Sequence, residues 1–388
     1  MMRLFRLLFI IAIFALGSEN IFAQATTSGA NTITTAVPFL SITPDSRAGG
    51  MGDAGVALPP DVNSQHWNPA KYVFMESNMG VGLSYSPWLR NLVNDINLAY
   101  LVGYKQLDDV QTISASLRYF SLGDIVFTSD LGTILNTQKP NEFAIDFAYS
   151  RLLSEEFSGA VAIRYIRSDL TGGQLVGGVE SHAGTSFAAD VAFYYQHEFR
   201  ANRKDNLWTA GINIQNIGSK ISYTDGDVKD FIPTNLMLGT AYTTNVDEYN
   251  SFTFSFEANK LLVPTPPKDS LGGGVVVSGG TFSNVGTIEG IIRSFSDAPG
   301  GFKEELQEIN LATGIEYWYN KQFAIRAGYF YENENKGNRK YFTAGAGLRL
   351  NVFALDFSYL LPTQRNHPLE NTLRFSLSFD IDAFANQR

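Results

Sequence analysis

Leu373-Arg374-Phe375-Ser376-Leu377-Ser378-Phe379-Asp380 carries a large apolar residue at every second position, with Arg, Ser, Ser and Asp between them. A β-strand sends successive side chains to opposite faces, so this segment has one oily and one polar face. In a water-soluble sandwich the oily face is the core. In a membrane barrel it meets lipid and the polar face lines the lumen.

The pattern recurs upstream. Phe252-Thr253-Phe254-Ser255-Phe256-Glu257 is nearly as clean. Alternation and turn signals together predict about fourteen strands. They cover 79–85, 96–104, 113–120, 143–149, 161–167, 187–195, 208–216, 236–242, 252–259, 309–319, 323–331, 341–350, 353–359 and 373–380. The connections tend to alternate in length. Residues 151–157, 242–251, 320–322 and Asn351 alone are tight, whereas 121–141, 168–186, 218–234, 260–308 and 360–371 are long. Residues 86–95 and 332–340 are of medium length. Outer-membrane barrels have short periplasmic turns and longer outside loops, and an even strand count with both barrel ends in the periplasm places 260–308 outside.

The polar faces separate sandwich from barrel. They carry Arg118, Arg164, Arg326, Arg349 and Arg374, with Asp146, Asp190, Glu257, Glu316, Asp356 and Asp380. A sandwich would show a second strand pattern in about half its strands, for the facing sheet. The clean strands here share one pattern, often with Tyr at an end, as in the aromatic girdles of a membrane barrel. The expected fold is an all-β, antiparallel transmembrane barrel. Five basic against six acidic lumen residues point to ion-paired networks and contacts to a plug. A wide ion-selective pore would show a field of one sign. The bland alternative is that these charges only satisfy one another.

Composition agrees. The 388 residues are 17% charged and 13% aromatic, with 35 Gly and no Cys, which excludes disulfides, thiolate metal sites and a lipidated N-terminal cysteine. Residues 1–23 read as a signal peptide: Arg3 and Arg6 precede an apolar run over 7–16, and Ala23 and Ala25 offer cleavage points. A retained anchor is the alternative, but no stop-transfer charges follow. No later run approaches about 18 uninterrupted apolar residues. The formal charge of −9, made more negative by removing the leader, argues against a nucleic-acid partner.

Residues 24–78 differ from the 79–388 barrel region: they are rich in Gly, Pro and Asn and barely alternate. At their centre are Arg47, Gly49, Gly50, Met51, Gly52, Asp53, Ala54 and Gly55, followed by Asn68, Pro69 and Ala70. Close-set glycines permit tight backbone approach. Asp61 is positioned to cap a short helix that Asn68-Pro69 ends. The segment is the expected plug, entering the lumen from the periplasmic side. The glycine run is no phosphate loop, because it lacks the Lys-Ser/Thr pair and the strand–turn–helix setting.

Catalytic and metal signatures are missing. His66, His182, His197 and His367 fit no metal spacing, and there is no G-x-S-x-G elbow. Asp225-Gly226-Asp227 with Asp230 suits either calcium or an ordinary turn. No cofactor is expected. The 260–308 loop starts with Pro264 and Pro266 and continues through an apolar stretch over 288–295, which a turn and short helix follow over 296–306. Phe282, Phe295, Asp297, Pro299 and Phe302 mark it as a contact surface; folding back as a lid on its own barrel is the alternative.

Arg47-Ala48-x-Gly50-Met51-Gly52-x-Ala54-x-Val56-Ala57 and Asn68-Pro69-Ala70 resemble the N-terminal hatch of FadL-like long-chain fatty-acid-transporter barrels. With Pro38-Phe39-Leu40, Pro44-Asp45-Ser46-Arg47-Ala48-Gly49, Trp67-Asn68-Pro69-Ala70 and Ser294-Phe295-Ser296-Asp297-Ala298-Pro299-Gly300-Gly301-Phe302, the mature chain is similar to the PorV family. These are outer-membrane barrels of the type IX secretion system of Bacteroidetes. The last motif is the more specific. The resemblance implies fourteen strands, an outer-membrane lipid setting and a non-enzymatic role. It also implies three protein partners: the giant translocon barrel, C-terminal signal domains of exported cargo, and a signal-cleaving attachment subunit. The competing expectation is a FadL-type transporter of small hydrophobic molecules. A hydrolase at the barrel rim lacks a catalytic constellation.

Overall fold

The computed structural model describes residues 31–385, apart from 91, 92, 94, 129–133, 174, 177, 178, 202, 226–228, 268–283, 365 and 366. The expected leader and Phe282 lie outside these residues. Fourteen strands form one closed antiparallel barrel. They are β1 (Met79–Pro87), β2 (Asn97–Asp108), β3 (Gln111–Ser121), β4 (Asn141–Ser154), β5 (Phe157–Asp169), β6 (Gly184–Ala201) and β7 (Lys204–Gly218). The second half comprises β8 (Asn235–Asn245), β9 (Asn250–Leu261), β10 (Ile309–Tyr319), β11 (Phe323–Tyr331), β12 (Lys340–Arg349), β13 (Phe353–Pro362) and β14 (Leu373–Asp380). Every strand pairs with its sequence neighbours, and β1 closes on β14 from Gly80↔Asp380 to Tyr85↔Phe375. Closure leaves no open edge, the condition for a sheet to exist in hydrocarbon.

Alternation places side chains as the sequence implies. On β14, Arg374 and Ser376 are buried while Phe375 and Phe379 are exposed. The outward residues form an oily belt in which Ile163 is 67% and Phe187 69% exposed. A belt of that size is stable only against lipid. The chain is a transmembrane β-barrel.

Tyrosines finish the belt at both ends. At the outer rim Tyr85 Oη donates to Asn97 Oδ1 (2.6 Å) and Tyr359 Oη to Asn371 Oδ1 (2.8 Å). At the inner rim Tyr149 Oη donates to Gln111 Oε1 (2.5 Å) and Tyr242 Oη to Asn206 Oδ1 (2.8 Å). An amphipathic ring with its hydroxyl satisfied by a neighbouring amide suits the lipid–water boundary.

Several strands, β4 to β7, run well past their expected ends, β6 and β7 being the longest. A membrane crossing needs about 9–11 residues, yet β6 has 18 and β7 has 15. The added part of β6, from His197 to Ala201, is polar and lacks clean alternation. It pairs with β7 out to Ala201↔Lys204, with one exposed ion pair between Arg200 and Asp205 (3.4 Å) beside the backbone ladder. Small hairpins inside two outer loops, Ile125–Thr128 with Ile134–Gln138 and Leu175–Val176 with Val179–Glu180, were likewise not anticipated.

Residues 31–78 lie within the barrel and the plug's direction differs from the expectation. Asn31 sits at the outer mouth, where its N–H donates to Asn335 O in the β11–β12 loop (2.8 Å). The segment then descends to the inner rim, where Asn78 N–H meets Asp382 Oδ2 (2.5 Å). The described part of the segment therefore runs from the outer mouth to the inner rim. The apolar cluster of Val37, Phe39 and Leu40 with Leu98, Phe120 and Ile166 fixes this, because those wall residues are at the outer ends of β2, β3 and β5. Asp61 also differs. It is not the helix N-cap; its carboxylate holds Asn63 N (2.9 Å) and Arg47 Nη1 (2.9 Å) ahead of the helix Ser64–Trp67.

Candidate functional site: the filled lumen and its outer mouth

The glycine-rich centre of the plug is pressed into the barrel wall. A Cβ on Gly328 of β11 would fall 2.1 Å from Gly52 N, and one on Gly314 of β10 2.6 Å from Met51 O. Gly52 itself has φ +74°, a conformation that glycine adopts without strain. Gly50 meets Gly345 of β12 in the same way, 3.2 Å from an added Cβ to Cα. Wall glycines thus leave room for plug backbone, and at Gly328 with Gly52 and Gly345 with Gly50 glycine faces glycine.

Directional bonds fix the rest. Gly52 N donates to Thr343 Oγ1 (2.9 Å), and Gly55 N and Val56 N both donate to Glu257 Oε2 (2.7 and 2.8 Å). Tyr341 Oη donates to Asp53 Oδ2 (2.5 Å). Asn68 Nδ2 donates to Phe193 O (2.9 Å) on the opposite wall, while Ser150 and Ser158 hydroxyls donate to Pro69 O and Ala70 O (both 2.7 Å). Met51 and Ala54 lie between these contacts, fully enclosed.

The lumen charges are consumed by this packing. Arg47 joins Glu316 (2.9 Å) and Asp61 (2.9 Å); Arg326 joins Glu316 (2.6 Å) and Asp356 (2.5 Å). Arg164 bridges Asp146 and, at 2.9 Å, Asp190. Arg374 faces Asp53 at 3.3 Å. Arg118 differs, because its guanidinium donates to Phe39 O (3.3 Å) and Leu40 O (2.6 Å) and contacts His66 Nδ1 (2.6 Å). Arg349 is exposed, 5.0 Å from the Trp318 ring.

At the outer mouth the 260–308 loop has a buried base and an exposed tip. Pro264 and Pro266 are buried in the base, and Asp297 Oδ2 accepts Thr265 N there (3.2 Å). They support the loop and are not presented outward. Burial pushes the Asp297 carboxyl up, against the lowering effect of that hydrogen bond. The exposed tip holds Phe295, Pro299 and Phe302, the last 78% exposed. Two short helices carry it: Thr287–Arg293, which was not foreseen as a helix, and Phe302–Gln307. They add Ile288, Ile292 and Leu306 to the exposed apolar residues of the loop.

The base is an ion cluster that the sequence did not signal. Lys260 Nζ donates to Glu305 Oε2 (3.0 Å) and Glu308 Oε2 (2.6 Å). Lys336 Nζ donates to Glu304 Oε1 (2.8 Å) and Glu308 Oε1 (2.9 Å). Alternation cannot reveal such a cluster, since its members come from a strand end, a helix and another loop. Among the described residues no group of three or more His, Asp or Glu side chains is arranged to hold a metal ion. The Asp225–Asp227 turn falls partly outside those residues.

Comparisons with known proteins agree with this architecture. The profile of the PorV family, described as type IX secretion system protein PorV, matches residues 25–268. No curated protein matches the chain. Among solved structures, the toluene transporter TodX of P. putida is similar at 12% identity and TM-score 0.50, over 86% of this chain and 97% of TodX. A FadL homologue of Pseudomonas aeruginosa matches at 10% identity and TM-score 0.45, over 90% of this chain and 99% of that one. The TodX likeness shows the barrel fold. A filled lumen inside fourteen strands, with the profile match spanning plug and most of the wall, decides the assignment: the chain belongs to the PorV family and is an outer-membrane component of type IX secretion.

Proposed function

We propose that this barrel works without catalysis, as an adaptor that binds protein partners through its outer loops. The observation that carries the reading is the division of labour in the structure. The lumen is spent on holding the plug, while Ile288, Ile292, Phe295, Phe302 and Leu306 stand exposed on a loop whose base is fastened. Exposed apolar residues on an ordered support are the usual form of a protein-binding surface. The family supplies the partners: the translocon barrel, the C-terminal signal domain of exported cargo, and the signal-cleaving attachment subunit. The chain receives cargo from the first and passes it to the last.

The test is Phe302→Asp combined with Ile292→Asp. Surface display of exported proteins should fall to a few per cent while the barrel keeps its heat-modifiable migration on gels. Unchanged display would overturn the reading. The transporter alternative needs an apolar path through the lumen, where this plug makes backbone contacts with Gly314, Gly328 and Gly345. Uptake of a labelled fatty acid or toluene that depends on this chain would favour that alternative.

A further inference from the structure

The first described residues of the plug are tied to the outer loop directly at Asn31 and, through Phe231 of the 218–234 loop, at a second point. Asn31 is fully buried. Its Nδ2 donates to Pro266 O (3.1 Å) and to Glu304 Oε1 (3.0 Å), and its backbone N–H donates to Asn335 O (2.8 Å). Glu304 lies on the helix Phe302–Gln307, beside the exposed Phe302, and the same Oε1 accepts Lys336 Nζ. Three chain segments far apart in sequence thus share one carboxylate.

The second point is Phe231. Its carbonyl accepts Ala36 N (2.9 Å), and its ring lies against the other loop helix, where a Cβ on Gly290 would be 2.8 Å from the ring. Residues 31–42 are thus bonded to the helix Phe302–Gln307 through Asn31 and linked to the helix Thr287–Arg293 through Phe231. Below these points the segment is anchored in the barrel: Phe39 is fully buried and stacks on Phe120 with ring centroids 6.3 Å apart, and Arg118 binds the carbonyls of Phe39 and Leu40. Val37 has φ 47°, a region that costs a β-branched residue free energy and persists only where its surroundings enforce it.

We propose that residues 31–42 are a strap that sets the pose of the outer loop, with Asn31 and Lys336 as its positioning residues, so that the loop and the outer end of the plug loosen together. The strap links two ordered elements through few bonds, each with a local alternative in water. Coupling of this kind is reciprocal: whatever moves the loop must act on the strap with equal free energy. The coupling belongs to the barrel alone; its use in secretion rests on the adaptor reading above.

Hydrogen exchange on the full-length barrel in detergent tests it without a partner. Asn31→Ala and Lys336→Met should each speed exchange about tenfold at 287–307 and also at 31–42, as expected for loss of a buried charge-assisted hydrogen bond. Exchange over the barrel strands should stay unchanged. Phe39→Ala supplies the distal arm, because Phe39 belongs to an apolar cluster that contains no residue of the 260–308 loop. It should also speed exchange at 302–307. The proposal is overturned if each substitution loosens only the segment that carries it, or if Phe39→Ala leaves 302–307 as protected as in the wild type. Heat-modifiable migration confirms that every variant is folded. Because no partner takes part, failure here is distinct from failure of the display assay.

Discussion

Arg47 of the plug and Glu316 of β10 form a two-point ion pair, Nη2 to Oε1 at 2.9 Å and Nε to Oε2 at 3.1 Å, with side-chain exposures of 8% and 1%. Glu316 also accepts Arg326 Nε at 2.6 Å. One carboxylate thus neutralises a plug cation and a wall cation. Glu316→Gln should destabilise the barrel by about 3–5 kcal/mol, the usual cost of stripping one partner from a buried pair. Urea unfolding followed by gel migration measures it. A cost below about 1 kcal/mol would place this pair with solvent-screened ones.

The plug's seat depends on missing side chains. Gly328→Val puts carbon where Gly52 N now lies, 2.1 Å from the added Cβ. The plug cannot shift sideways, because Gly52 is also held by Thr343. We expect the barrel to insert but the plug to leave its seat. Planar-bilayer recordings should then show large openings absent from the wild type. Gly286→Ala, with nothing within 4 Å of its Cβ, should behave as wild type.

The oily belt predicts a depth-dependent penalty. Ile163→Arg, at a position 67% exposed to lipid, should cost about 2–4 kcal/mol if it lies near the bilayer midplane. Unfolding from lipid vesicles measures it. Equal stability of variant and wild type in vesicles would contradict the assignment of this face.

The outer-mouth cluster gives a pH dependence. Burial by itself would raise the Glu304 carboxyl, but hydrogen bonds from Lys336, Asn31 and Gly300 N outweigh it and hold the group at about 2. The folded value is below the ordinary 4.5, so the stabilisation is complete above that ordinary value. It is lost as pH falls from about 4.5 toward 2. Pepsin cleavage within 284–307 should therefore accelerate between pH 5 and 2.5 beyond the enzyme's own pH profile, and Lys336→Met should remove most of that dependence. Asp297 works in the opposite direction, since its raised carboxyl favours the fold as pH falls. A profile dominated by Asp297 would show the loop tightening in acid.

The alternation in Leu373–Asp380 was enough to reveal a strand with an oily side, and its repetition was enough for a closed barrel. Period-two patterning is a local property, written one residue at a time by contact with lipid or lumen. The polar faces also foretold ion pairs, because unpaired charge inside a barrel is costly. Strand ends were less legible in β6, where His197 to Ala201 break the alternation and are held chiefly by backbone pairing with β7.

What the chain by itself determined is the barrel, its oily belt and the glycine-rich character of the plug, since each depends on residue type and spacing along a few neighbours. Only the tertiary structure decided that residues 31–78 run from the outer mouth to the inner rim, that Pro264 and Pro266 are buried supports, and that Asn31 meets Glu304. Those outcomes depend on contacts between residues tens to hundreds of positions apart. Their energies come from shape and hydrogen-bond geometry at the meeting point, which no local pattern encodes.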